Sequence, residues 1–178
     1  MSDAVQVQLA LIADMKLAFD AEGLDWWLFG GWGLDAQLGR ITRDHSDVEC
    51  WVERPDADLV RDALSSLGAV IVETQPIEES REFSRDGILF SSAFFDRNEN
   101  GTFGVLGRWS DWVFPRGSFG ASRGHIDGLE VPTMSVEGML AMKEQYPTLR
   151  NGAPLRDKDV RDIAALRALI ANPRPHRS

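Results

Sequence analysis

The chain has little of several things, and each shortage closes off a class of function. There is one cysteine in 178 residues, Cys50, which excludes an internal disulfide and a cysteine-rich zinc site. Positive charge is scarce: 19 Lys and Arg face 28 Asp and Glu, for a formal net charge of −9. That balance disfavours non-specific binding to nucleic acid. No run approaches the ~18 consecutive apolar residues of a membrane span. The N-terminal stretch MSDAVQVQLALIADMKLAF lacks the basic region and cleavage signature of a signal peptide. No internal repeat and no low-complexity segment is present. The expectation is a soluble cytoplasmic protein, monomer or homodimer, that engages neither nucleic acid nor membrane.

What is present suits a packed domain. Hydrophobic residues make up 43% of the chain, with six tryptophans and nine phenylalanines as large core payloads. Val5, Leu9, Ile12 and Phe19 recur at helical spacing, with Ser2 or Asp3 as N-cap and Gly23 as the stop. The stretch DWWLFGG reads as a short strand ending at a glycine pair, and WGLDAQLG as a short helix closed by Gly39. Residues 47–53, DVECWVE, alternate as a strand: Val48, Cys50 and Val52 face one way, and Asp47, Glu49 and Trp51 the other. PDADLVRDALSSLG is an amphipathic helix, AVIVET a strand, and REFSRDGILFSSAFF a hairpin turning at Arg85-Asp86-Gly87. From 103 to 128 glycines and aromatics mix irregularly, predicting short strands and loops. LEVPTM is a last strand, followed by a helix from about Ser135 and a final helix in APLRDKDVRDIAALRALIA. The fold class is therefore α+β, with a short mixed or antiparallel sheet, flanking helices and a helical C-terminal part. The expected division is a core over 1–134, a helical part over 135–172 packed on it, and a frayed tail over 173–178.

Asp47 and Glu49, two apart on a strand, project from one face roughly 6 to 7 Å apart in the backbone. Two carboxylates so placed can converge on one cation, and Mg²⁺ takes a few hard oxygens while keeping water or substrate phosphate. A Gly-Gly turn entering a helix frees backbone N–H groups and admits a phosphate. Such an arrangement suits a nucleoside triphosphate with its metal. The bland alternative is a solvated strand face beside a tight turn.

The longer stretch FGGWGLDAQLGRITRDHSDVEC resembles the nucleotidyltransferase signature, and more narrowly that of aminoglycoside 2''- and lincosamide nucleotidyltransferases. Gly30, Gly31, Trp32, Gly33, Asp35, Gly39, Arg40, Arg43, His45, Asp47 and Glu49 fall in register with it. Weaker similarity runs on through VPTMSVEGMLAMKEQYP and RDKDVRDIAAL. The resemblance implies a nucleotidyltransferase core in which Asp47 and Glu49 bind Mg²⁺ on ATP and Gly30 and Gly31 hold its phosphates. It further implies that Lys143 neutralises the triphosphate and that Arg43 and His45 contact phosphate or orient a carboxylate. Trp32 beside the glycines is a candidate for stacking on a base or sugar. A substrate hydroxyl would attack the α-phosphorus of ATP, and the acceptor would be a small molecule such as an aminoglycoside or lincosamide.

The family supplies a third carboxylate from a later strand, and aligning on AFFDRNENG puts Leu89 in that place. Three explanations stand open: Asp86 or Asp96 reaches the site, Glu82 on the facing hairpin strand substitutes as base, or the protein binds nucleotide without efficient transfer. Arg156, Lys158, Asp159 and Asp162 form either an ion network or a substrate-facing set. Glu73, Glu78 and Glu79 are a solvated acidic face or a recruiter of a cationic acceptor.

Overall fold

The computed structural model describes residues 2–72 and 76–173, and no helix among them is long and apolar enough to cross a membrane. Helix α1 (Asp3–Glu22) starts where the Ser2 hydroxyl accepts the Val5 N–H and stops at Gly23, φ 66°. Strand β1 (Trp26–Leu28) leads into α2 (Gly30–Leu38), which closes at Gly39, φ 61°. Strand β2 (Val48–Glu53) follows, one residue shorter than expected because Asp47 sits just ahead of it. A 3-10 turn at Arg54–Asp56 opens α3 (Ala57–Ser66), and then come β3 (Val70–Val72), β4 (Ser80–Arg85) and β5 (Ile88–Arg97). Short β6 (Phe103–Gly104) precedes β7 (Arg123–Ile126), β8 (Leu129–Pro132), α4 (Val136–Leu149) and α5 (Asp157–Ala171).

The main sheet runs β1-β2-β5-β4-β3, with β6 on the end of β5. The pair β2–β5 is parallel and its neighbours antiparallel, so the mixed-sheet expectation holds. Hairpin β4–β5 turns at Asp86 and Gly87, φ 52° and 77°, the doubly positive geometry that Asp-Gly accommodates. Asp127 and Gly128, φ 48° and 79°, make a second such turn between β7 and β8. In the sequence only the later of those two strands, in LEVPTM, stands out, although the same Asp-Gly dipeptide marks both turns.

Alternation along β2 and β5 divides the core in two. Val48, Cys50, Val52, Phe90 and Phe94 pack beneath Ile12 and Phe19 of α1 and Val60 and Leu64 of α3. On the other face Trp51 and Phe95 join an aromatic mass with Trp27, Phe114 and Phe119, closed by Met139 and Met142 of α4 and Leu166 of α5. Ser135 caps α4, accepting from the Gly138 N–H at 3.0 Å, just after Met134 N–H bonds to the Leu28 carbonyl. Glu73, His176 and all of the tail beyond residue 173 lie outside the described residues.

Candidate active site

The glycine pair and the two acids meet where β1 gives way to α2 and β2 begins. Gly30 adopts φ 65°, and a Cβ there would fall 2.2 Å from Glu49 Oε2. A Cβ on Gly31 would lie 2.2 Å from His45 Nδ1. Both positions therefore exclude a side chain: one by left-handed backbone and a carboxylate, the other by an imidazole. The N-cap residue of α2, Phe29, offers no side-chain cap bond. The leading N–H groups of the helix have no intrahelical acceptor and suit an anion.

His45 is locked from both sides. Its Nδ1 lies 2.8 Å from Arg43 Nη1 and its Nε2 2.6 Å from Asp35 Oδ2. A guanidinium can only donate, so Nδ1 accepts, Nε2 carries the proton to Asp35, and the imidazole is neutral. Asp35, wholly buried, also accepts from the Thr42 hydroxyl at 2.6 Å and the Thr42 N–H at 3.0 Å. Beneath the loop, Gln8 donates to the His45 carbonyl and accepts from Trp32 Nε1. With both ring nitrogens engaged, His45 orients Arg43 and pairs with Asp35; neither ring nitrogen is left for a phosphate. Trp32 is also corrected: at 1% exposure, with its N–H spent on Gln8, it is a core residue with no face open to a base.

From Arg43 a chain of charge crosses to the C-terminal helices. Arg43 reaches Asp162 at 3.2 Å, Lys143 sits 2.9 Å from Asp162 and 3.5 Å from Asp159, and Arg156 lies 2.6 Å from Asp159. Lys143 is buried. Of the two roles left open for this helix, the structure displays the ion network. That network stands beside Glu49, whose carboxyl is pushed up to about 7 by burial first and the charge of Asp47 second. Lys143, Lys158 and Arg156 pull the other way without overcoming burial. Asp47 is exposed and accepts the Ser46 hydroxyl at 3.0 Å. An exposed acid beside a half-buried one that resists ionisation is a donor set a divalent cation would relieve, using two hard oxygens.

The third acid is decided by strand register. Glu49 lies opposite Ser91, and Ser91 opposite Glu82. Two residues back along β5, Leu89 shares that face at the level of Asp47 and is 54% exposed. Asp86 is in the hairpin turn, and Asp96, of opposite parity to Ser91, is held by Arg54 Nε at 3.0 Å, so neither reaches the acids. Glu82 shares their face, but two strand spacings put its backbone roughly 10 Å from that of Glu49. Among the described residues no three His, Cys, Asp or Glu side chains gather to hold a metal.

Other sequence candidates resolve simply. Cys50 is buried against Ser92, with its thiol pushed up to about 12 by burial. Trp109 and Trp112 stack on each other with centroids 4.8 Å apart. Glu79 is buried, 2.9 Å from Arg108 Nε, and is no recruiter of cations. Gln8 and Thr42 went unnoticed in the sequence. Gln8 carried a signal, a lone amide inside the apolar stripe of the first helix.

Known proteins share sequence and fold with this chain. A segment of 42 residues is 45% identical to a 2''-aminoglycoside nucleotidyltransferase of Klebsiella pneumoniae, covering 24% of this chain and 24% of that one. The same extent and identity recur in the 2''-aminoglycoside nucleotidyltransferase of Escherichia coli. The matched segment thus spans about a quarter of these curated relatives. The fold resembles ANT(2'')-Ia in complex with adenylyl-2''-tobramycin, with TM-score 0.73 and 20% identity over 92% of this chain and 90% of that one. It also resembles the lincomycin-bound lincosamide antibiotic adenylyltransferase LnuA, with TM-score 0.68 and 21% identity over 95% and 98%. At such identities the likeness is one of fold. The model of the aminoglycoside-2''-adenylyltransferase family matches residues 11–166, and the chain belongs to that family.

Proposed function

We propose that the protein transfers AMP from ATP to a hydroxyl of a small molecule in the cytoplasm, an aminoglycoside or lincosamide antibiotic being the acceptor class the family suggests. The observation that carries this reading is the corner itself: an uncapped helix start with side chains excluded at Gly30 and Gly31, set against the Asp47–Glu49 pair. Asp47 and Glu49 would hold Mg²⁺, which when bound supplies charge neutralisation to the triphosphate. The α2 amides at Gly30 and Gly31 receive phosphate oxygens, and Arg43, pre-aimed by His45 and Asp162, adds a guanidinium. Lys143 adds positive potential from the helical side. The acceptor oxygen forms a bond to the α-phosphorus, the bond from that phosphorus to the bridging oxygen breaks, and pyrophosphate leaves. Glu82, on the same sheet face, takes the hydroxyl proton once the acceptor lies between it and the acids.

One observation favours a second reading, a nucleotide-binding protein without transfer: Leu89 and Ser91 occupy the face where a third carboxylate would stand. Incubation with α-labelled ATP, Mg²⁺ and a panel of aminoglycosides and lincosamides separates the two. Labelled acceptor supports transfer; retained labelled ATP without product for any acceptor supports binding alone. For an active enzyme, Asp47→Ala lowers the rate ~10³-fold or more at unchanged thermal midpoint. Retained transfer would remove Asp47 from the metal site. Glu82→Gln is expected to cost ~10²-fold, and an unaltered rate would end its assignment as base.

A further inference from the structure

A cavity of about 680 Å³ lies between α2 with its following loop and the outer face of α5, outside the acid corner. Its α5 side is built from Arg161, Ala165, Ala168, Leu169 and Asn172. That spacing is one helical face, and it extends about 16 Å along the axis. The two alanines leave a furrow where larger side chains would close the helix pair, and Leu34 and Leu38 of α2 supply the opposite apolar wall. A volume of this size matches small-molecule sites in general.

The rim has the opposite sign from the rest of the chain. Arg40, Arg43 and Arg161 line the cavity with Asp162 as the lone acid, and Asp162 is already paired with Arg43 and Lys143. Arg40 and Arg161 are exposed and form no ion pair among the described residues. Arg54, Arg61, Arg81, Arg85, Arg97 and Arg167 each have a carboxylate, whereas Arg116, Arg123 and Arg150 share with Arg40 and Arg161 the lack of an ion pair among the described residues but do not line an apolar furrow. In a chain with 28 acids against 19 bases, three guanidiniums to one carboxylate around an apolar furrow are a local reversal.

We propose that this furrow between α2 and α5 binds a small amphipathic anion, its chain along Leu34, Leu38, Ala165 and Ala168 and its head on Arg40 and Arg161. The furrow shares Arg43 with the acid corner, but its two anchors, Arg40 and Arg161, take no part in the chemistry assigned there.

Calorimetric titration of the full chain with decanoate and decyl phosphate, below their micelle concentrations, tests it and distinguishes a carboxylate from a phosphate head. The expected result is saturable one-to-one binding, with decanol roughly tenfold weaker or worse because it lacks the charge-assisted contact. Acetate and inorganic phosphate should be weaker still for want of an apolar tail. The double variant Arg40→Ala, Arg161→Ala should lose tenfold or more, and Ala168→Glu, an exposed substitution, should abolish binding. Decanol binding as tightly as decanoate, unchanged affinity in either variant, or no saturable binding by any anionic probe would overturn the proposal. So would a monomer–dimer equilibrium abolished by Ala168→Glu without binding of any probe, which would assign the furrow to a second copy.

Discussion

The two faces of strands β2 and β5 carry opposite kinds of side chain. Val48, Cys50, Val52, Phe90 and Phe94 are sealed beneath α1 and α3, with no acid among them. One residue along, Glu49, Ser91 and Glu82 form a polar row beside Trp51 and Phe95. Backbone, hydrogen bonds and strand order are shared, so the contrast isolates what side chains do. The sealed face supplies stability. The other holds a half-buried acid that would be more comfortable neutral, the stability–function conflict expected of a site.

Three substitutions separate the two faces. The largest effect belongs to the sealed face: Phe90→Ala removes a ring that stacks on Phe83 at 5.4 Å and should cost about 3–5 kcal/mol in urea unfolding. Its folded fraction should bind nucleotide as the native chain does. A parallel loss of affinity at saturating folded protein would show that the faces are not separable.

The next effect comes from Glu49→Gln, which substitutes a permanently neutral group for the strained acid. In the folded chain Glu49 holds its proton up to about pH 7, well above its ordinary value of 4.5. The neutral carboxyl's contribution to stability is therefore complete below pH 4.5 and is lost as pH rises through 7. Glutamine keeps it, so the variant should gain up to about 3 kcal/mol at pH 8, shrinking toward nothing at pH 4. Thermal melts across pH check this, and a gain independent of pH would point to packing rather than charge. The same variant should lose its response to Mg²⁺.

The smallest effect tests the corner. Gly31→Ala puts a methyl against His45 Nδ1 and must disturb the Arg43–His45–Asp35 bonds, at about 2 kcal/mol. Nucleotide affinity should fall with it, measured by titration of labelled ATP. A variant with native stability and affinity would mean that His45 shifts freely and that Arg43 needs no such support.

Much of this molecule was legible in its sequence. Gly30, Gly31, Asp47 and Glu49 were readable because their geometry is local: a glycine pair entering a helix and two residues of equal strand parity. Helix ends at Gly23, Gly39 and Ser135 were equally plain, since caps are satisfied by neighbours within a turn, and the structure chose Ser2 over Asp3 as the first cap. Trp32 misled because adjacency to the glycines does not say which side of α2 it faces. Gln8 to His45, 37 residues apart, and Arg43 to Asp162, 119 apart, join groups that no periodicity connects.

By itself, then, the sequence determined most of the helices and strands, though not β7, together with the mixed α+β class and the two acids beside the glycine pair, because each follows from short-range sterics and alternation. Only the tertiary structure decided that His45 is a neutral brace for Arg43, that Lys143 sits between two aspartates, and that Leu89 and Ser91 line the acid row. Those outcomes depend on strand register and helix docking, which are fixed by burial summed over the whole core and not by any residue's neighbours in the chain.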